Sequence, residues 1–421
     1  MALGPTLPEE TDILIVGGGI VGTATAFWLS RKTDREMTLV DKDNVAGGAT
    51  GDSSAILRHV YEDRPTYAEM AWWSHEFYRD FEDETGYELS TPDQPLIQWG
   101  GPASGHEVSP MVDYETLQSL DIPVTRYEAD ELPALFPLFE FTDGFEYAVS
   151  DDEAGYTEPA TAANGFAKAA QDNGARVVTG VAVESIDADD GTVAGVETDE
   201  GYIACEDVVI AAGSWSYKLA ATVDVDLPIT PEREQALLLD PPENVSKAEL
   251  RSVRTTGRSS SNPDGVWWYF RADFGDTIYM GTHARADSVD PDDYDRTPDQ
   301  KRKVEAFDIL DEFAPKLADS EIVGEFCGVT ANTPDQGFII DQVGPDGLYA
   351  LVDAGHGFKH GPVIGHLGAD LVLDGESDLF DVDLFTVDRF DDRSPNQPLT
   401  YDDPAELHLA TGRSTSSDHG G

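Results

Sequence analysis

The sequence predicts a discontinuous α/β nucleotide-binding domain of Rossmann-like type, with an inserted α+β domain that contains an antiparallel sheet. Three observations predict it. A buried-strand pattern at residues 11–16 runs directly into VGGGIVG and an apolar helix. Alternating strand and helix patterns of the same kind stop and resume twice along the chain. Between them, residues 266–271 and 277–283 read as an antiparallel hairpin about Gly275.

Taken in order, residues 11–16 form a strand, the glycines turn the chain, a helix follows to about Arg31, and residues 37–40 return as a second strand. This is an opening βαβ unit. Residues 90–147 are irregular, rich in proline and acid. A helix returns over 159–174 and ends at glycine. Strands are expected at 176–186, 192–198 and 208–211, then at 234–239 and in the hairpin, followed by a helix over 302–317. A last strand, 348–352, enters the glycine-rich segment 355–361 and an apolar helix to about Leu373. The expected division is a cofactor domain from residues 8–88, 150–222 and 325–392, an inserted domain from 89–149 and 223–324, and a polar tail over 393–421.

The chain has 421 residues, enough for two domains, and 40% are hydrophobic. Its 82 acidic and 27 basic residues give a formal net charge of −55. Aromatic residues make up 10% of the chain and long apolar runs are present, which excludes an acidic disordered protein. The charge then reads as adaptation to molar salt, where screening lengths shrink to about 3 Å. No basic stripe is present to displace phosphate counterions, so nucleic acid is excluded as a partner, and anionic membrane surfaces are disfavoured. Cys205 and Cys327, the only cysteines, have no metal-ligand spacing and imply no disulfide framework. The first ten residues lack the features of a signal peptide, and the apolar stretch 13–29 is broken by three consecutive glycines. A cytoplasmic protein with no membrane span and no bound metal is the expectation.

In VGGGIVG, Gly17 permits the tight turn, Gly19 lets a pyrophosphate approach the backbone, and Gly22 lets the helix pack on the strand. The helix N-terminus adds free N–H groups and a positive dipole end. Asp41, at the end of the second strand, is placed to accept from ribose hydroxyls, with Asp43 as its neighbour and rival. Nicotinamide and flavin cofactors share this pattern. The second glycine segment, residues 355–361, discriminates between them. It again lies between a strand and a helix, and its helix N-terminus suits the electron-rich pyrimidine edge of a flavin. No Ser–His–Asp set or zinc cluster stands out. His59, His283 and His356 lie in glycine-rich or otherwise promising segments, where a structural role competes with proton transfer.

VGGGIVG, GGATGDSSAILRHVY, VVIAAGSWS, TPDQGFIID and AGHGFKHGP, in this order, resemble the D-amino-acid oxidase superfamily, in particular its sarcosine and glycine oxidase branch with the dimethylglycine dehydrogenase-like enzymes. The likeness runs to about residue 390. It implies FAD as cofactor, an FAD domain plus a substrate domain with a large antiparallel sheet, and oxidation of the C–N bond of a small amino or N-methyl amino acid. Carried over by motif, Arg58 and Lys359 match the pair that holds the substrate carboxylate, and His356 stands beside the flavin. The cofactor set it implies is Gly17, Gly19, Gly22, Asp41, Lys42, Gly48, Ala49, Thr50, Ser53, Ser54, Val183, Ala212, Gly213, Trp215, Gly355, His356, Gly357, Phe358 and Lys359.

Three departures are legible. Gly328 fills the position from which sarcosine oxidases attach FAD through cysteine, and Cys327 lies one residue earlier, so non-covalent FAD is expected. Ser288, with Arg285 nearby, stands where the branch has its oxygen-promoting lysine, which leaves oxygen or another carrier as electron acceptor. Ala55 replaces the first arginine of the early loop. Two other readings are a 2-hydroxy-acid dehydrogenase and a non-catalytic flavin-bound subunit.

Overall fold

The computed structural model describes residues 7–62, 64–101, 109–141, 144–246, 250–255, 268–282 and 288–390. A six-stranded sheet runs in the order Ile339–Gln342, Leu348–Val352, Asp207–Ile210, Ile13–Val16, Met37–Asp41, Arg176–Thr179. Its pairings are parallel except the first, which is antiparallel. Ile13–Val16 is buried on both faces, as an unbroken apolar run in a parallel sheet must be.

Helix Ile20–Lys32 crosses helix Gly357–Asp374 closely. A Cβ added at Gly361 would lie 2.4 Å from Ile20 Cγ1, and one at Gly365 would lie 2.6 Å from Ala24 Cβ. On its other side the first helix packs Phe27 against Phe166 of helix Pro159–Asp172, the rings tilted by 57° with centroids 5.4 Å apart. Both helices that open at glycine-rich turns are therefore held by one core.

The expected strand 176–186 is two strands in two sheets. Arg176–Thr179 belongs to the parallel sheet, whereas Val183–Asp189 pairs in a three-stranded antiparallel sheet with Thr192–Thr198 and, beyond it, Gly201–Ala204. Gly180 makes the break with a φ of +76°, and its N–H donates to the Asp43 carbonyl. Apolar periodicity runs through this joint, so the sequence hides it.

The second large sheet has eight strands, in the order Glu321–Asn332, Thr230–Asp240, Ile278–Thr282, Trp268–Ala272, Ser252–Thr255, Leu96–Gly100, Tyr147–Asp151, Val124–Glu128. Ser252–Thr255 pairs parallel to Leu96–Gly100, and the remaining pairs are antiparallel. Two of these strands, Leu96–Gly100 and Val124–Glu128, and helix Pro110–Ser119 lie in the stretch expected to be irregular, and Tyr147–Asp151 begins at its end. Leu96–Gly100 is buried on both faces and Val124–Glu128 is a half-exposed edge, so neither alternates cleanly. Glu321–Asn332, which the expected boundary at residue 325 divides, is continuous and pairs with Thr230–Asp240 throughout its length. The helix expected to reach 317 is Gln300–Phe313, because Pro315 opens a separate 3₁₀ turn.

One face of the eight-stranded sheet packs Trp268, Phe270, Leu237 and Met280 onto Ile309 and Leu310. The other carries Tyr269, Tyr279, Ala236 and Leu96 toward the parallel sheet's loops. Among the described residues no helix is long and apolar enough to cross a membrane, and both cysteines are free and buried.

Candidate active site

Two cavities meet at the carboxyl ends of the parallel strands. The first is lined by Gly17, Gly19, Asp41, Lys42, Gly48, Val183, Ala212 and Trp215, among others. The second is lined by Ser53, Ser54, Arg58, Gly355, His356, Gly357, Phe358 and Lys359 on the loop side. Ile20, Ala49, Thr50, Gly213, Ser214 and Asp353 border both, so the space is continuous.

In the first cavity the Gly17 and Gly22 positions exclude any side chain. A Cβ at Gly17 would lie 2.3 Å from the Ala211 oxygen, and one at Gly22 would lie 2.0 Å from the Gly17 oxygen. Of the expected cofactor residues, Gly22 alone lines neither cavity; it brings the helix onto the turn. A Cβ at Gly19 would project to 3.2 Å from Thr50 Oγ1, which itself accepts from the Ile20 N–H at 3.0 Å. Asp41 Oδ2 accepts from the Gly18 N–H at 2.6 Å and Oδ1 from the Asp43 N–H at 2.7 Å. Each oxygen keeps a second lone pair for a ribose hydroxyl. Burial raises the Asp41 pKa, and the two N–H bonds oppose that rise. The glycine cradle, the half-buried acid and the helix N-terminus fit a dinucleotide.

Asp292, from the inserted segment DPDD, reaches the rim of this cavity. It accepts from Trp215 Nε1 at 2.6 Å, Lys218 at 2.6 Å and Lys42 at 3.1 Å, while Lys42 stands 3.9 Å over the Trp215 ring. The Lys218 hydrogen bond holds its carboxyl well below the usual range.

In the second cavity the Arg58 guanidinium lies 4.6 Å over the Tyr61 ring and donates to the Val60 carbonyl. Lys359 sits in the first turn of helix Gly357–Asp374, with His356 as its N-cap residue. Enclosure pushes the Lys359 pKa well below that of a free lysine, and Arg58 adds to this. Among the described residues no carboxylate forms an ion pair with Arg58 or Lys359. Asp353 follows the last parallel strand; its Oδ1 accepts from the Gly355 N–H at 3.2 Å, and a Cβ at Gly357 would lie 1.8 Å from its Oδ2.

His59 faces away from the cavities. Its Nδ1 lies 2.9 Å from Asp151 Oδ1 and its Nε2 lies 3.1 Å from His75 Nδ1, all fully buried. It is a structural residue. His360 is also buried, its ring nitrogens 3.2 Å from the His356 carbonyl and 3.1 Å from that of Tyr67; burial pushes its pKa down to about 3. His283 and Arg285 lie outside the described residues. Ser288 is exposed and bridges Glu232 in the sheet. Ala55 is 1% exposed and packs in the core rather than on the cavity wall.

Cys327 does not line the cavities, whereas Phe326 and Gly328 do. A Cβ at Gly328 would meet Asp52 Cβ at 3.1 Å. Cys327 is 3% exposed, and burial pushes its thiol up to about 11.

Sequence reasoning missed Arg254, Glu234, Tyr269, Tyr279 and Asp353, all on the second cavity's wall. Asp353 carried a signal, as an acid between an apolar strand and a glycine turn. The other four are set by strand register in the eight-stranded sheet, which the sequence does not display.

A glycine-cradled cleft at the carboxyl edge of a parallel sheet, continued beneath a second sheet, defines a dinucleotide-dependent oxidoreductase. The chain belongs to the FAD dependent oxidoreductase family, the D-amino-acid oxidase family, whose model matches residues 12–371. Monomeric sarcosine oxidase of Bacillus sp. (strain B-0618) is 25% identical over 387 residues, 90% of this chain and 96% of that protein. N-methyl-L-tryptophan oxidase of Salmonella typhi is 25% identical over 401 residues, 90% and 99% of the two chains. L-proline dehydrogenase from P. horikoshii shares the fold with a TM-score of 0.80 at 22% identity, covering 91% of this chain and 99% of that one. Glycine oxidase from Geobacillus kaustophilus shares it at a TM-score of 0.76 and 20% identity, covering 90% and 99%. The protein is therefore an FAD-dependent enzyme, with the two-domain fold that the resemblance implied.

Proposed function

We propose that this chain oxidises the C–N bond of a small amino acid or N-methyl amino acid, giving an imine that water hydrolyses. The observation that carries this reading is the pair Arg58 and Lys359. In a chain with 82 acids and 27 basic residues, two enclosed cations face one cavity and have no carboxylate ion-pair partner among the described residues. A substrate carboxylate supplies that partner, bound bidentately by the arginine fork.

The same two cations act on the amine. A positive field beside the α-carbon disfavours an ammonium group, so substrate is held with a neutral nitrogen ready to form the imine. The first turn of helix Gly357–Asp374 would offer its free N–H groups to the pyrimidine edge of the cofactor, with His356 contributing through its backbone. Gly17, Gly19 and the helix opening at Ile20 would hold the pyrophosphate, Asp41 the ribose, and Val183 the adenine. FAD, when bound, supplies the two-electron acceptor. A panel of amino, N-methylamino and 2-hydroxy acids, scored by anaerobic flavin bleaching, tests the reading: bleaching by 2-hydroxy acids alone, or by none of the panel, overturns it.

FAD is held non-covalently in this proposal, because Cys327 is turned from the cavity that Gly328 borders. Acid precipitation is expected to leave the protein colourless and the flavin in the supernatant; yellow precipitate refutes it.

We further propose that the charge of −55 is an adaptation to concentrated salt. Thermal unfolding is expected at higher temperature in ~3 M KCl than in ~0.1 M KCl, as screening contracts from about 10 Å to below about 3 Å. An unchanged unfolding temperature across the series excludes it.

A further inference from the structure

The second cavity holds a third cation. Arg254 lies on strand Ser252–Thr255, between Gln98 of one neighbouring strand and Tyr269 of the other. Its neighbour Val253 is fully buried on the sheet's far side, in the cluster with Trp268 and Phe270. Side chains alternate along a strand, so Arg254 is delivered to the cavity face with Tyr269 and Leu96. Arg58 and Lys359 approach from the loops and the helix of the other domain, so the three cations line one space from two sides.

Two cations suffice for one substrate carboxylate. Enclosing a third near them is costly, and burial together with Arg58 pushes the Arg254 pKa down to about 10. The acids around this group are distributed unevenly. Glu234 and Asp353 act on Lys359 and share the cavity wall with it, where Asp52 is a third carboxylate. Glu62 and Asp113 act on Arg254, but neither lines the cavity. Asp113 already accepts from the Glu62 N–H at 2.6 Å and from Gln98 Nε2 at 2.9 Å. A guanidinium has five N–H donors, enough to serve partners within the protein and a ligand carboxylate together.

We propose that Arg254 binds a second anionic group on the substrate, so that the preferred substrate class is an acidic, dicarboxylic amino or N-methyl amino acid. This rests on the reading of the site as a carboxylate-binding amino-acid oxidation site and narrows it. The α-carboxylate occupies Arg58 and Lys359, the reacting carbon faces the cofactor, and the side-chain carboxylate turns to the sheet.

Binding tests this without turnover. Holoenzyme is titrated at fixed ionic strength with succinate and with butyrate, reading the perturbation of flavin absorbance. Wild type is expected to bind succinate at least tenfold more tightly than butyrate. In Arg254→Met that ratio is expected to fall to within twofold of one, and in Arg254→Lys to lie between. A wild-type ratio near one, or a ratio unaltered in a flavin-loaded Arg254→Met, overturns the proposal. If Arg254→Met does not retain flavin, the wild-type ratio and Arg254→Lys decide. Anaerobic bleaching by sarcosine or D-alanine with no succinate preference upholds the oxidation reading and removes this one. A succinate preference without bleaching by any amino acid, N-methyl aspartate included, upholds Arg254 as a second anion site but removes the oxidation reading and, with it, the amino-acid substrate class.

Discussion

Arg58→Ala is expected to raise KM for the amino-acid substrate steeply while the purified protein stays yellow. The guanidinium is fixed before substrate arrives, by its stacking 4.6 Å over Tyr61 and its bond to the Val60 carbonyl. Little rotamer entropy is therefore lost on binding. Removing one partner of an enclosed charge pair costs about 2–5 kcal/mol, which is roughly 30- to several-thousand-fold in kcat/KM. Arg58 borders the second cavity and not the first, so the nucleotide grip survives. Arg58→Lys keeps the charge without the fork and is expected to lose less. Steady-state kinetics at saturating acceptor measures this, and an Arg58→Ala enzyme with wild-type KM removes the assignment.

The second large effect falls on stability. Asp151 ends strand Tyr147–Asp151 with no solvent exposure and accepts both the His59 N–H, at 2.7 Å, and the contact from His59 Nδ1, at 2.9 Å. Asp151→Ala leaves two buried groups without a partner, each worth about 1–3 kcal/mol. It also releases His59 from its line to His75, whose Nε2 is buried and has no hydrogen-bond partner among the described residues. A loss of roughly 3–5 kcal/mol is expected from urea unfolding in concentrated KCl, with Asp151→Asn losing less because it keeps an oxygen. A loss below ~1 kcal/mol would show that water or a neighbour replaces the carboxylate. His59 is joined in sequence to Arg58, so the same substitution is expected to loosen the carboxylate site.

How much of this was legible depends on where the information lies in the chain. The strand–turn–helix at Gly17–Gly22, the acid Asp41 and the segment 355–361 are local patterns, and the structure brings them to one cleft. The break at Gly180 was not legible, because an apolar strand reads alike on either side of a change of sheet. Arg254 was not legible either: its approach to Arg58 depends on its register beside Gln98 and Tyr269, and on the docking of one sheet over another. The polar rim around Asp292 was hidden for a different reason, since a run of aspartates in so acidic a chain reads as solvated surface. In Cys327 the one-residue offset from Gly328 was readable, and alternation along the strand turns it away from the cavity.

The close crossing of the two glycine-turn helices bears on how the molecule is made. The parallel sheet takes adjacent strands from Ile13–Val16, Asp207–Ile210 and Leu348–Val352, so its core is closed by contacts between distant parts of the chain. Topologies of this kind fold slowly. The nucleotide cleft is not complete until Asp353 and the last long helix have been synthesised and docked against Ile20 and Ala24. A nascent chain therefore has no finished flavin site for most of its translation. Cofactor capture belongs to the end of folding, where free FAD pulls the last docking step forward by mass action.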